Sequence, residues 1–171
     1  ADVSLYNSDY KSNERTFQLV TQVAGRAGRK NADGYVVLQT YAPKHYVYRF
    51  AQNYDYEGFY AKEINVRQTT MFPPFSTILR ILVSSVSDER AKEVTKKIFD
   101  SCQQLKQKYG KMIMFLQAMP SPVKKIQTKY RYQILTRFVP SDTITADFYA
   151  ASDLVEKDVS IFVETNPNNL R

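Results

Sequence analysis

The sequence contains one cysteine, one histidine and no tryptophan among 171 residues. A single cysteine excludes an internal disulfide framework and a cysteine-based zinc site, and a single histidine excludes a histidine cluster for zinc binding or catalysis. No apolar run reaches the roughly 18–20 residues that a membrane-spanning helix needs. The first residues have neither a basic start nor an apolar stretch, so no signal peptide is predicted. We therefore expect a soluble, cytoplasmic protein without a membrane partner.

Glycine and proline are also scarce, at 5 and 7 residues, which excludes a fibrous protein. With 43% hydrophobic and 24% charged residues, the composition is that of a globular protein. The length suits one domain, or one domain and a fragment of another. Because the chain begins with Ala1 instead of methionine, we expect it to be a piece of a longer protein.

Positive charge is concentrated in the middle of the chain. Residues 61–139 hold 15 Lys or Arg against 5 Asp or Glu, whereas residues 140–171 hold 2 against 6. A basic region in a soluble protein indicates a polyanionic partner, most often nucleic acid. The alternative is a solvated helix face. Several of the lysines do fall on or just after one predicted helix: Lys92, Lys96, Lys97, Lys106, Lys108 and Lys111.

The first part of the chain is predicted to be largely helical. Apolar spacings of three and four predict three helices, over 14–29, 44–52 and 56–69. A run rich in β-branched residues predicts one short strand over Tyr35–Gln39. The third helix is expected to bury Tyr56, Phe59, Tyr60 and Ile64. Pro73 and Pro74 then interrupt the chain because neither has a backbone N–H to donate. We place a domain boundary here, between residues 1–71 and 72–171.

The second part shows a regular alternation of strand and helix patterns. The predicted elements are a strand over 76–86, a helix over 88–109, strands over 112–117 and 128–139, a helix beginning at Ser141 and a strand over 159–165. The prolines of Met119–Val123 predict an extended loop. The order β-α-β-β-α-β predicts an α/β (α+β) fold of the ferredoxin-like, split βαβ type. Such a sheet carries both helices on one face, and its other face must be covered or used.

The most informative segment is QVAGRAGR, over residues 22–29. Arg26 and Arg29 are three residues apart, so on a helix their guanidinium groups project from one face, which suits a triphosphate. Gly25 and Gly28 keep that face uncrowded, and Gln22 could contact the nucleotide or position a water. The alternative is an ordinary surface helix. Each glycine inside a helix is unfavourable by roughly 1 kcal/mol, so two of them need a reason.

The spacing Q-x-x-G-R-x-x-R resembles motif VI of superfamily 2 helicases, the arginine-finger motif on their second RecA-like lobe. Longer segments resemble the C-terminal part of the primosomal protein N′ (PriA) family of bacterial replication-restart helicases: ERTFQLVTQVAGRAGR (14–29), GYVVLQTY (34–41), FPPFS (72–76) and KYRYQIL (129–135). The resemblance implies a partial RecA-like lobe over 1–71 and a C-terminal α/β domain over 72–171.

The resemblance also implies an activity, ATP-driven 3′–5′ DNA unwinding and primosome assembly at stalled forks, in a bacterial, nucleoid-associated protein. The implied cofactors are ATP and Mg²⁺, with zinc in a module that this sequence lacks. The implied partners are forked or single-stranded DNA, single-stranded-DNA-binding protein, primosome loading factors and the rest of the helicase. Arg26 and Arg29 would be the catalytic arginines, and Gln22 and Gly25 would contact ATP. Because no glycine precedes Lys and Ser or Thr in a phosphate loop, we expect this chain alone to be inactive and to bind no cofactor.

A second candidate site is the basic strand over 129–138. Tyr130, Tyr132, Ile134 and Phe138 are predicted to face the helices, because side chains alternate along a strand. The open face would then be basic and could follow a phosphate backbone: Lys129, Arg131 and Arg137, joined by Lys124 and Lys125. The alternative is that this face docks onto the rest of the helicase.

The two isolated reactive residues are expected to be structural. His45 falls at a helix start without a carboxylate or cysteine partner in view, and Cys102 falls on the apolar line of a helix. A different class of function also stays open, a non-catalytic nucleic-acid-binding or scaffold domain with a ribosomal-protein-like sheet. Such a domain would have no use for the Gln22–Arg29 motif.

Overall fold

The computed structural model describes residue 5, residues 9–27 and residues 35–168. The chain divides into two units, one within residues 1–70 and one within residues 71–169. We refer to them as the helical unit and the sheet unit. Within the described residues, no helix combines the length and the apolar character needed to cross a membrane.

The helical unit contains α1 (Ser12–Ala24), α2 (Tyr46–Gln52) and α3 (Tyr56–Thr70). Its core is aromatic, with Phe17 stacked on Phe59 at a ring-centroid distance of 4.4 Å. The predicted strand over Tyr35–Gln39 is wrong, since these residues form no strand and all are exposed. A strand needs a neighbour for its N–H and C=O groups, and the described part of this unit contains only helices.

Two helix predictions in this unit also need correction. Helix α1 ends at Ala24 instead of continuing to Arg29, and Arg26 and Ala27 donate their N–H groups three residues back in a tighter turn. Gly25 lowers helix propensity at a point where no buried side chain supports the helix. Helix α3 buries Phe59, Glu63 and Arg67, while Tyr56 and Tyr60 are exposed, because a polar network and not an apolar stripe holds its inner face.

That network centres on the Glu63 carboxylate. Tyr46 donates its hydroxyl to Glu63 at 2.6 Å, and Asn13 donates to the same oxygen at 3.1 Å. Arg67 forms ion pairs with Glu63 at 3.2 Å and with Glu14 at 2.9 Å. Burial and the hydrogen bond to Glu63 raise the pKa of Tyr46. All three helices are therefore joined by one set of partly buried polar contacts around Glu63.

The sheet unit has the predicted order of elements: β1 (Thr77–Ser85), α4 (Asp88–Tyr109), β2 (Ile113–Ile126), β3 (Lys129–Phe138), α5 (Asp142–Ser152) and β4 (Val159–Thr165). Its four strands form one antiparallel sheet in the order β2-β3-β1-β4. This is consistent with a small ferredoxin-like domain. A short 3₁₀ turn, Gly110–Met112, follows α4, where Gly110 has a positive φ of 55°.

The core of the sheet unit lies between the sheet and its two helices. It joins alternate residues of the strands to the apolar line of α4 and to Phe148 of α5, whose ring stacks on Phe138 at 5.3 Å. The predicted inward face of β3 is confirmed, since Tyr132, Ile134 and Phe138 are buried on the helix side. Tyr132 also donates its hydroxyl to Asp88 of α4 at 2.6 Å.

Strand β2 is longer than predicted and includes the predicted loop Met119–Val123. Its pairing with β3 is irregular there, with a register shift between Pro120 and Lys125. Prolines are tolerated because β2 is an edge strand, so its outer N–H groups have no ladder partner to lose.

Candidate functional site

The hairpin between β2 and β3 carries the densest group of exposed basic residues in the sheet unit. Lys124, Lys125 and Lys129 are all exposed, and Arg131 follows at partial exposure. They come together because Ile126 pairs with Lys129 across the two-residue turn. Hydrogen bonds from Lys92 and Tyr132 lower the pKa of the Asp88 carboxyl at the start of α4, and the nearby charge of Lys124 lowers it further.

The structure divides the predicted basic residues between two faces. Lys125 pairs with Tyr130, so both side chains lie on the helix side of the sheet. The Lys125 ammonium lies 4.5 Å from the Tyr130 ring centroid and 3.3 Å from its hydroxyl. The expectation that Lys125 extends the open face is therefore wrong, because a register shift in β2 changes which side its residues face. Lys129 and Arg131 keep their predicted place opposite the helices.

The open face of the sheet is mixed and not simply basic. Along β3 it presents Arg131, Gln133, Leu135 and Arg137, and Gln133 is only 1% exposed. Gln133 lies between Leu82 of β1 and Met119 of β2. The expected continuous positive face is thus interrupted by apolar side chains.

Two arginines of this face are already engaged within the sheet unit. Arg137 places its guanidinium 5.1 Å from the ring centroid of Phe72. Arg80, which alternation along β1 puts on the open face, pairs with Glu164 of β4. Sequence reasoning missed Arg80 and the apolar residues around it. The available signal was that Ile78 and Leu82 put apolar residues in the second alternating set of β1 as well, which is typical of a strand partly covered on both faces.

Three of the six lysines on or just after α4 form ion pairs within the sheet unit. Lys97 bridges Glu93 and Glu156 at 3.2 and 3.1 Å, and Lys108 pairs with Asp147 at 2.8 Å. Lys92 pairs with Asp88 at 2.8 Å. These ion pairs raise the pKa of each lysine and lower the pKa of its carboxylate partner. The charge of Lys92, Lys97 and Lys108 is therefore largely balanced by neighbouring carboxylates.

The motif segment begins on the last turn of α1. Gln22 lies on this turn and Gly25 and Arg26 follow it, all three exposed. Arg26 forms no ion pair within the described residues. Arg29 and Gly28 lie outside the described residues. The spacing argument that put both arginines on one helix face does not hold, because Arg26 comes after the end of the helix.

The isolated histidine and cysteine are structural, as predicted. His45 caps α2 and its Nδ1 accepts the N–H of Val47 at 3.4 Å. Burial, partly opposed by the charge of Glu63, lowers the pKa of His45. Cys102 is fully buried, and burial raises the pKa of its thiol to about 12. Among the described residues, no cluster of three or more His, Cys, Asp or Glu side chains could hold a metal ion.

Comparison with known proteins gives a consistent result. Residues 68–166 match the family model described as primosomal protein N C-terminal domain. Replication restart protein PriA of Bacillus subtilis is 33% identical over 98% of this chain and 21% of its own length. PriA of Synechocystis is 29% identical over 98% of the chain, and PriA of Borreliella burgdorferi is 33% identical over 79% of it. The chain spans about a fifth of the length of these relatives. It therefore belongs to the PriA family of replication restart proteins, and it corresponds to a C-terminal part of them.

Proposed function

We propose that this chain is the C-terminal part of an ATP-dependent 3′–5′ DNA helicase of replication restart. It supplies motif VI arginines and a surface that binds DNA. The observation that carries the DNA-binding part is the exposed basic hairpin, Lys124, Lys125, Lys129 and Arg131. The family match supports the role in restart, together with its expected partners, forked DNA, single-stranded-DNA-binding protein and primosome loading factors.

The hairpin suits a phosphate backbone better than base edges. Its lysines are exposed, and none of them forms an ion pair within the described residues. Such contacts add affinity through counterion release. This contribution decreases as the salt concentration rises, and it depends little on the DNA sequence.

A salt titration of DNA binding tests this proposal. Each phosphate contact contributes a slope of about −0.7 to −0.9, so three to five contacts predict roughly −2 to −4 for the wild type. The variant Lys124→Ala/Lys125→Ala/Lys129→Ala should reduce the magnitude of this slope by about 2. The matched control, Lys96→Ala/Lys106→Ala/Lys111→Ala, removes the same charge from α4 and the turn after it and should leave the slope unchanged. Equal losses in both variants would mean that only net charge matters.

The motif segment suits a nucleotide held mainly by other parts of the parent. The exposed Arg26 guanidinium fits the phosphate charge of ATP, since it forms no ion pair within the described residues. Arg29 is proposed to share this role, with Gln22 and Gly25 against the nucleotide. No carboxylate occurs in residues 22–29, so this segment contributes positive charge and no ligand for Mg²⁺. Bound ATP supplies the phosphoryl bond whose hydrolysis drives unwinding.

The ATP role is tested in the complete parent. Arg26→Ala and Arg29→Ala should each lower ATP turnover by a few orders of magnitude, the scale known for arginine fingers. Arg49→Ala is the control, because Arg49 is another exposed arginine of the same unit. Near-normal turnover in both motif variants would reject the assignment. The 171-residue chain alone should show no DNA-stimulated ATPase, since it has no phosphate loop.

A second role for the open face is favoured by its composition. The polar residues of this face are interspersed with three apolar ones, Leu82, Met119 and Leu135. A surface that mixes apolar and polar side chains is typical of a protein–protein interface. We propose that this face contacts the rest of the helicase while the hairpin contacts DNA. In the same titration, Arg137→Ala would then leave the salt slope near the wild-type value. A reduction of about 0.7 to 0.9, the contribution of one phosphate contact, would assign the face to DNA.

The helical unit is proposed to complete a RecA-like lobe whose sheet lies elsewhere in the parent. Tyr35 and Val37 are 88% and 83% exposed in a segment with the composition of a strand. Exposed apolar residues of this kind suit packing against other parts of the parent protein.

A further inference from the structure

The two edges of the sheet differ in how they are protected. The β2 edge carries Pro120, Pro122 and two lysines, and its pairing is irregular. These are the features by which proteins prevent unwanted strand pairing. The β4 edge is the run VSIFVET, with no proline, no lysine and no irregularity in its pairing with β1. Strand β4 therefore presents an edge that a further strand can join.

Hydrogen bonding identifies which groups point outward from β4. Asn166 donates its backbone N–H to Ile78 at 2.6 Å, and its side chain accepts the N–H of Ile78 at 2.9 Å. The backbone groups of an antiparallel strand alternate between its two edges. The N–H and C=O groups of Phe162 and Glu164 therefore also point at β1. Ile161, Val163 and Thr165 then direct their N–H and C=O groups away from the sheet.

A groove runs along this same edge. Its volume is about 510 Å³, and Ile161, Phe162 and Val163 line it opposite the C-terminal end of α5. Phe162 is 56% exposed and Leu154, also in the groove, is 39% exposed. The groove thus offers apolar contact on both sides of a row of outward-pointing backbone groups.

The charge at one end of the groove indicates the kind of occupant. Asp153, which lines the groove, and Asp158, which precedes β4, are exposed and form no ion pair within the described residues. Carboxylates outnumber basic residues six to two over 140–171. Exposed Lys157 stands beside Asp158 and offsets part of this charge, but the carboxylates still exceed it, which favours a cationic group over nucleic acid. Strand β4 itself contains no Lys or Arg, and in a second copy the neighbouring Lys157 would come with its own Asp158.

We propose that the β4 edge binds an extended peptide segment of a protein partner by strand addition, with alternating apolar side chains and basic residues at one end. The main chain of the segment pairs with Ile161 and Val163, its apolar side chains contact Phe162 and Leu154, and its basic end lies near Asp153 and Asp158. Main-chain hydrogen bonds provide affinity in this mode, and side-chain contacts provide specificity. In an antiparallel arrangement the basic residues are at the C-terminal end of the segment.

The probe is a capped peptide of alternating threonine and valine that ends in two lysines, titrated into the 171-residue chain. The control peptide ends in two glutamates and should bind at least about tenfold more weakly, with the difference shrinking as salt rises. Amide chemical shifts should move at Ile161 and Val163. Equal affinity for the two peptides, no measurable binding, or shifts confined to β2 would each overturn the proposal.

Two variants distinguish strand pairing at the β4 edge from non-specific peptide binding. Val163→Pro removes an outward-pointing N–H that makes no hydrogen bond to β1. Phe162→Lys adds a positive charge that repels the lysines of the peptide. Each variant should bind the lysine-ended peptide about tenfold more weakly than the wild type. Phe115→Lys makes the same replacement on the opposite edge and should bind like the wild type. If Val163→Pro unfolds, Phe162→Lys and the amide map still decide. A chain that self-associates, protects the Ile161 and Val163 amides and excludes the peptide would assign the edge to a second copy and reject the proposal.

Discussion

The two units are stabilised in different ways. In the sheet unit, apolar residues of every strand and both helices meet in one core, and side chains such as Ile98 and Phe148 are fully buried. In the helical unit, three helices surround the Glu63–Arg67 pair, while Leu19 and Val23 stay about half exposed. The difference indicates that the sheet unit is held mainly by one apolar core. The helical unit has an apolar surface left over, as expected for a part that packs against other parts of a parent protein.

The largest expected effect is in the sheet core. Phe148→Ala should lower the free energy of unfolding by about 3–5 kcal/mol, because it removes a ring that stacks on Phe138 and leaves a cavity. Urea denaturation, followed by a near-ultraviolet signal, measures it. Tyr149→Ala, at the neighbouring and 42% exposed position, is the control and should change stability far less. A loss below about 1 kcal/mol for Phe148→Ala would mean that this core is not closely packed.

The polar network should give the next largest effect. Arg67→Met leaves the buried Glu63 carboxylate without its ion-pair partner and should destabilise the helical unit by about 3 kcal/mol. Adding Glu63→Gln removes the unpaired charge and keeps an oxygen for the Tyr46 hydroxyl, so the double variant should recover much of the loss. Calorimetry on both variants measures this. If the double variant were no more stable than Arg67→Met, the ion pair would not explain the loss.

Gly58 provides a smaller test, in which the direction of the change in the free energy of unfolding is informative. Glycine to alanine inside a helix usually stabilises by up to about 1 kcal/mol. Here a Cβ would lie 2.3 Å from Asp55 Oδ2, and the Asp55 carboxylate accepts the Gly58 N–H at the start of α3. Gly58→Ala should therefore destabilise by about 1 kcal/mol, through loss of this cap. A Cβ at this position would also lie 2.7 Å from Phe50 Cε1, so in an Asp55→Ala background the loss should shrink without disappearing, and an additive pair would contradict the explanation.

The smallest effect is a pH dependence at His45. Its folded-state pKa lies below the ordinary value, mainly because of burial, so the unfolded chain binds the proton more readily. The contribution of His45 is therefore fully present above its unfolded pKa and is lost as the pH falls through the folded pKa. The cap limits the size to about 1 kcal/mol. Urea unfolding at pH 7.5 and 5.5 should show a smaller difference for His45→Asn, which caps without titrating. An identical difference in both proteins would assign it to other groups.

Much of the sheet unit could be predicted from the sequence. Helix α4 has its predicted bounds of 88 and 109, and the inward residues of β3 follow from simple alternation. The irregular pairing of β2 could not be predicted, because prolines indicate a loop unless the strand is known to lie at an edge. For the site, the exposed lysines of the hairpin could be identified in advance. The face on which Lys125 lies could not.

The sequence by itself determined the order of elements in the sheet unit, the structural roles of His45 and Cys102, and membership of the PriA family. These depend on local periodicity, capping and motif spacing, which neighbouring residues specify. Only the tertiary structure decided that α1 ends before Arg26, that Tyr35–Gln39 forms no strand, and that α3 buries Glu63 and Arg67. The reason is physical. A strand needs a partner strand and a buried charge needs a counter-charge, and both partners come from distant positions in the chain.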